Sequence, residues 1–188
     1  MRMHALIALT AWGLAASVDA EVGRWTAREQ TDPMTDQRRG IASVESDAAS
    51  QFDRSRLPAS VLMNTAPANI DGSTRHTLVV KCDYERQDVY VAFLFAGGFN
   101  RSSSTLAYRF DQGEVTTVPW TSSRDGAAHI FAPSEVERFV IGARSASRIA
   151  FRITPPEGGP VETTTFSGAG SSAAIARVYA ACGQQLPI

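Results

Sequence analysis

The chain has 188 residues, 44% of them hydrophobic and 20% charged, and a formal net charge of −1. This composition is that of a globular protein, and without a basic surplus it argues against a nucleic-acid or polyanion binder. Lys81 is the only lysine, so nearly all of the positive charge is arginine.

Arg2 and His4 precede an apolar run from Ala5 to Val18, shorter than the roughly 20 residues that a membrane helix needs. Val18 and Ala20 then stand three residues and one residue before a cleavage point. Residues 1–20 therefore read as a secretory signal peptide, which sends the chain to the periplasm or out of the cell. About 168 residues remain, enough for one domain, 21–188, with a core of its own. No later stretch is apolar for long enough to span a bilayer, so no membrane span is expected after cleavage.

In an exported chain, two cysteines are expected to form a disulfide. Cys82 follows the run Leu78-Val79-Val80-Lys81, and Cys182 ends the last helical pattern. Their bond closes a loop of about 100 residues, worth about 4.7 kcal/mol in the chain-entropy account. A metal site needs more ligands than Cys82, Cys182, His76 and His129 supply at these spacings, so neither metal nor cofactor is expected.

In chain order, Arg24 to Glu29 alternates as a half-buried strand with Trp25 as a core anchor. Asp32-Pro33-Met34-Thr35-Asp36 has the chemistry of an Asx-type turn, and Ile41 to Ser46 returns as a hairpin partner. From 48 to 74 the sequence turns to Ala, Ser, Asn, Asp, Pro and Gly without periodicity, which predicts a mobile surface loop.

Thr77 to Cys82 and Val89 to Phe95 predict a central hairpin, the second strand too apolar for either face to be wet. Gly97-Gly98 reads as a bend. Thr105 to Asp111 is a strand with Leu106, Tyr108 and Phe110 on one face and Arg109 and Asp111 on the other. Val115 to Trp120 is a further strand, Ser122 to Gly126 a turn, and Ala127 to Phe131 a strand.

A helix is expected over 134–145, with Ser134 as N-cap and Glu137 completing a capping box. Its apolar face is Val136, Phe139, Val140 and Ala143, and Arg144 and Arg148 suit the negative end of its dipole. Arg148 to Thr154 alternates so that Ile149, Phe151 and Ile153 are buried and Arg148 and Arg152 are not. Pro155 to Pro160 is a turn, and Val161 to Phe166 a strand. A second helix over 171–182 carries Ala174, Ile175, Val178, Tyr179 and Cys182 at helical spacing and stops at Gly183. The fold class is α+β: a mostly antiparallel sheet or small sandwich with two helices.

Several short motifs recur in a fixed order. They are Trp25 with Asp32-Pro33 and Asp36, Cys82, Tyr108-Arg109-Phe110-Asp111, and Trp120-Thr121-Ser122-Ser123-Arg124-Asp125-Gly126. Arg152-Ile153-Thr154-Pro155, Phe166 with Gly170, and Ala174-Ile175 ahead of Ala181-Cys182 follow. In order and spacing they resemble the type VI secretion-associated VasI/TagO family over almost the whole mature chain. The resemblance implies a periplasmic accessory protein of a contractile secretion apparatus, with no catalytic residues to carry over. The chain departs from the family in the 48–74 segment and in Gly168-Ala169-Gly170, where a more apolar lead into the last helix is expected.

Three function classes follow. The first is a non-enzymatic accessory protein whose partner is an envelope protein, such as a secretion-apparatus component. The second is a stand-alone periplasmic binding or inhibitor module. The third is a hydrolase, for which His129, Asp125 or Asp111, and Ser122 or Ser123 supply the residue types but no strained nucleophile turn. For binding, the candidate patch is Arg109, Trp120, Arg124, Asp125 and Arg152, an aromatic with several arginines, the types enriched at interface hot spots. The competing reading pairs Arg109 with Asp111 and Arg124 with Asp125 as surface ions and places Trp120 in the core.

Overall fold

The computed structural model describes residues 20–22, 24–48, 75–82, 88–95, 105–122, 127–154 and 161–188. The expected leader apart from Ala20, nearly all of the 48–74 segment, Gly97-Gly98, and Arg124 and Asp125 lie outside these residues.

Among the described residues, eleven strands form two antiparallel sheets, and two helices accompany them. The larger sheet contains β1 (Ala20–Val22), β2 (Trp25–Thr31), β3 (Arg38–Glu45), β4 (Thr77–Lys81), β5 (Tyr90–Leu94), β8 (Thr121–Ser122) and β9 (Ala127–Ile130), in the order β1-β2-β3-β4-β5-β9-β8. The smaller contains β6 (Thr105–Phe110), β7 (Thr116–Val118), β10 (Arg148–Thr154) and β11 (Glu162–Ser167), in the order β11-β10-β6-β7. The helices are α1 (Pro133–Ser145) and α2 (Ser171–Ala181). The fold is therefore α+β and mostly antiparallel.

Alternation decides which side of each strand is buried. In β10, Ile149, Phe151 and Ile153 are buried while Arg148, Arg152 and Thr154 are exposed. Phe151 stacks on Phe93 of β5 at 5.0 Å between ring centroids, and Phe166 of β11 meets Phe93 edge-on at 5.8 Å. These aromatic pairs are where the inner faces of the two sheets meet, and each adds about 0.5–1.5 kcal/mol beyond its burial. Trp25 is fully buried, and its indole N–H donates to the Ser167 carbonyl at 2.8 Å, tying β2 to the end of β11.

Both helices cover what the sheets leave open. Phe139 of α1 packs edge-on against Tyr108 at 5.1 Å and lies 5.9 Å from Phe151. α2 lies on β2 and β3, where small residues let it come close. A Cβ added to Gly40 of β3 would sit 2.7 Å from Val178 Cα. The disulfide between Cys82 and Cys182, with Cα atoms 6.5 Å apart, fastens the same helix to the end of β4. Ser171 Oγ donates to the Ala143 carbonyl at 2.6 Å and joins the start of α2 to α1.

Two details differ from the sequence-based expectation, and a third explains a departure noted in the sequence. α1 begins at Pro133 with Ala132 as N-cap and no side-chain cap, so Ser134 and Glu137 form no capping box. Proline suits the first helical position, where its missing N–H has no partner to lose and its φ is already helical. Thr121–Ser122, expected to lead into a turn, forms the short strand β8 on β9. Gly170 is the N-cap of α2 with φ of 84°, a left-handed backbone that glycine reaches without strain, which explains the glycine where an apolar residue was expected.

The turn at Asp32 forms as expected: its Oδ1 accepts from the Met34 and Thr35 amides at 2.7 and 3.1 Å. The expected signal-peptide boundary falls within β1. Cleavage after Ala20 leaves Glu21 and Val22, the partners of Thr26 and Trp25 in the β1–β2 register.

Candidate functional site: an arginine-lined groove on the smaller sheet

The smaller sheet has one face toward the core and one away from it, and the cross-strand register fixes what the second face carries. Ala150 of β10 is opposite Arg109 of β6 on one side and Thr165 of β11 on the other. One row further, Arg152 is opposite Ala107 and Thr163. Arg148 and Arg152 lie two residues to either side of Ala150, so they share its face.

Three guanidinium groups thus surround a small alanine floor. Arg109 is the diagonal neighbour of both Arg148 and Arg152, a separation of about 7–8 Å between strand positions. Ala107 and Ala150 form the bottom of a groove of about 150 Å³, and Arg109, Arg148, Arg152 and Val115 stand around it. The hydroxyl-bearing Thr163 and Thr165 close the β11 side.

None of these three arginines makes an ion pair with a described residue. Three nearby acids are engaged elsewhere. Asp111, with φ of 49°, turns its carboxylate to the main chain and accepts from the Ser147 amide at 3.1 Å and the Arg148 amide at 2.9 Å. The surface pair of Arg109 with Asp111 is therefore replaced by a turn-capping acid. Asp47, beside β11, accepts from the Thr165 hydroxyl at 3.0 Å and lies 3.1 Å from Arg24. Glu162 faces His76 at 2.8 Å.

Of the patch expected from sequence, the fold brings Arg109 and Arg152 together on adjacent strands. Trp120 lies between β7 and β8, half-buried against the core. Arg124 and Asp125 fall outside the described residues. Arg148, expected beside Arg152 on the exposed face of its strand but not included in the patch, starts β10 and is the third arginine of the groove. Its alternation with Arg152 was the available signal. The overall charge of −1 conceals this local surplus.

His129 and His76 sit beside aromatic rings. His129, on β9, stands 5.6 Å from the Tyr90 ring and 5.2 Å from the Phe131 ring. His76 is buried and stacks on Phe93 at 5.4 Å. Among the described residues, no helix is long and apolar enough to cross a membrane.

Guanidinium groups around a floor of small side chains, edged by hydroxyls, are equipped to hold an oxyanion, because a guanidinium fork matches a carboxylate or phosphate with two parallel hydrogen bonds. No family model, no curated protein and no solved structure matches the chain.

Proposed function

We propose that this chain is an exported, non-enzymatic accessory protein of the cell envelope that works by docking a partner protein on the outward face of β6, β10 and β11. The observation that carries the reading is the gathering of Arg109, Arg148 and Arg152 around Ala150 without an ion-pair partner among the described residues. Like charges held close together cost stability unless something offsets them, and a docked acidic partner does so. The disulfide suits an oxidising compartment. The resemblance to the VasI/TagO family supplies the setting, a periplasmic role beside a type VI secretion apparatus.

Affinity capture tests this. The tagged mature protein is incubated with periplasmic extract and detergent-solubilised envelope, beside a variant carrying Arg109→Glu and Arg152→Glu. The reading expects secretion-apparatus components on the first and not on the second, with both proteins folded by circular dichroism. Capture of a single cell-wall hydrolase, with inhibition of its activity, replaces the secretion setting by a stand-alone inhibitor. Capture that ignores the charge reversal overturns the docking face.

A further inference from the structure

We infer that the groove around Ala150 binds an extended acidic polypeptide segment through carboxylates on alternate residues. This rests on the docking reading above and names the chemistry of the occupant.

The spacing of the charges selects it. Arg148 and Arg152 are four strand positions apart, about 13 Å at the usual rise per residue. Arg109 lies between them across β6, about 7–8 Å from each. One phosphate or one isolated carboxylate is too small to meet charges spread over that distance. An extended segment presents alternate side chains on one side about 7 Å apart, the interval between Arg109 and each of its neighbours. Each guanidinium then takes one carboxylate in a two-bonded fork.

Size points the same way. The groove holds about 150 Å³, below the roughly 300–1,000 Å³ of pockets that enclose a whole small molecule. It accepts groups that project from something larger. The exposed Thr163 offers a further hydroxyl, and Val115, 58% exposed, gives an apolar contact at the rim.

Three acids beside the groove are held by partners other than the arginines. Asp111 is bound to two backbone amides, Asp47 to Thr165 and Arg24, and Glu162 to His76. The positive field above Ala150 is thus left to an incoming partner, which is attracted more strongly at low salt.

The test uses the mature, oxidised chain and a fluorescent synthetic peptide with glutamate at alternate positions. Its glutamine counterpart, inorganic phosphate, and phosphatidylcholine vesicles containing phosphatidylglycerol are the comparison probes. The glutamate peptide is expected to bind, to weaken as salt is raised, and to lose about tenfold or more in affinity on Arg109→Gln, Arg148→Gln or Arg152→Gln, the scale of one charged hydrogen bond. Arg177→Gln, on α2, is expected to leave binding unchanged.

Equal binding of the glutamine peptide, or indifference to the three groove variants, overturns the inference. So does arginine-dependent binding of phosphate or vesicles in the absence of peptide binding. If the peptide fails while envelope capture still depends on Arg109 and Arg152, the occupant is wrong and the docking face stands. If capture is independent of them, the docking face itself falls.

Discussion

His76 Nε2 lies 2.8 Å from Glu162 Oε1, joining the residue before β4 in the larger sheet to the first residue of β11 in the smaller one. The His76 ring is buried and flanked by Phe93 and Phe95, at 5.4 and 6.3 Å between ring centroids. A polar pair at a sheet-to-sheet junction acts as a clasp only if breaking it leaves a buried group short of a bond. Glu162→Ala removes this acceptor from His76, and the expected loss is about 1–3 kcal/mol. Urea denaturation checks it, and a midpoint equal to that of the parent protein would show the contact to be dispensable.

The disulfide acts at a different place. Cys82 is fully buried and Cys182 is 7% exposed, so the bond lies under α2 rather than on the surface. Replacing both cysteines with alanine is expected to cost about 2–5 kcal/mol, with secondary structure retained. Comparison of guanidinium midpoints for the two proteins measures the loss. In the native protein, dithiothreitol is expected to reduce the bond only as fast as the chain opens, which mass spectrometry after thiol alkylation follows directly.

The local patterns that predicted these elements were those whose cause lies within a few residues. The alternation of Ile149, Phe151 and Ile153 and the spacing of Ala174, Ile175, Val178 and Tyr179 each report one strand or one helix meeting one core. The Cys82–Cys182 bond was legible because only two cysteines were there to pair. The groove was half legible. Arg109 and Arg152 stood out by type, but their approach depends on β6 pairing with β10 in one register, a long-range choice. The His76–Glu162 contact, 86 residues apart in the chain, left no local trace.

Gly40 shows how a small residue can set the position of a helix. A Cβ there would meet Val178 Cα at 2.7 Å and Ala181 Cβ at 3.1 Å, both on α2. Backbone atoms cannot rotate out of the way, so Gly40→Ala must push α2 off the sheet and strain the neighbouring disulfide. The expected cost is about 1–3 kcal/mol. For a domain of this size each kcal/mol lowers Tm by about 2–4 °C. A thermal melt of the variant checks it, and an unchanged Tm would mean that α2 shifts freely.

Tyr108 and Tyr179 predict the alkaline behaviour. Burial raises the pKa of each phenol above its ordinary value of about 10, and the charges of Glu135 and Glu137, respectively, push in the same direction. A raised pKa means that the folded state keeps a proton which the unfolded chain gives up. The contribution is intact below pH of about 10 and is lost as pH rises through the higher folded-state values. Stability is therefore expected to fall above pH of about 10, and the fall to be shallower in Tyr108→Phe and Tyr179→Phe. Denaturation midpoints between pH 8 and pH 12 test this, and parallel curves for parent and variants would rule the two phenols out as the cause.

The arginines of the groove make the opposite stability prediction from the clasp, the disulfide and the glycine. Three cations, with Arg109 about 7–8 Å from each of the other two, exposed or partly so and without an ion pair to any described residue, repel more than they bind within the fold. If the cluster held the sheet together, Arg109→Gln, Arg148→Gln and Arg152→Gln would each destabilise it by more than about 1 kcal/mol. If it is kept for a partner, each is expected to leave stability within about 0.5 kcal/mol of the parent or to raise it slightly, as surface changes away from packing features do. Added salt screens the repulsion and is expected to shrink any gain. Urea midpoints for the three variants at low and high salt decide between these outcomes, and a loss common to all three would make the groove a structural feature.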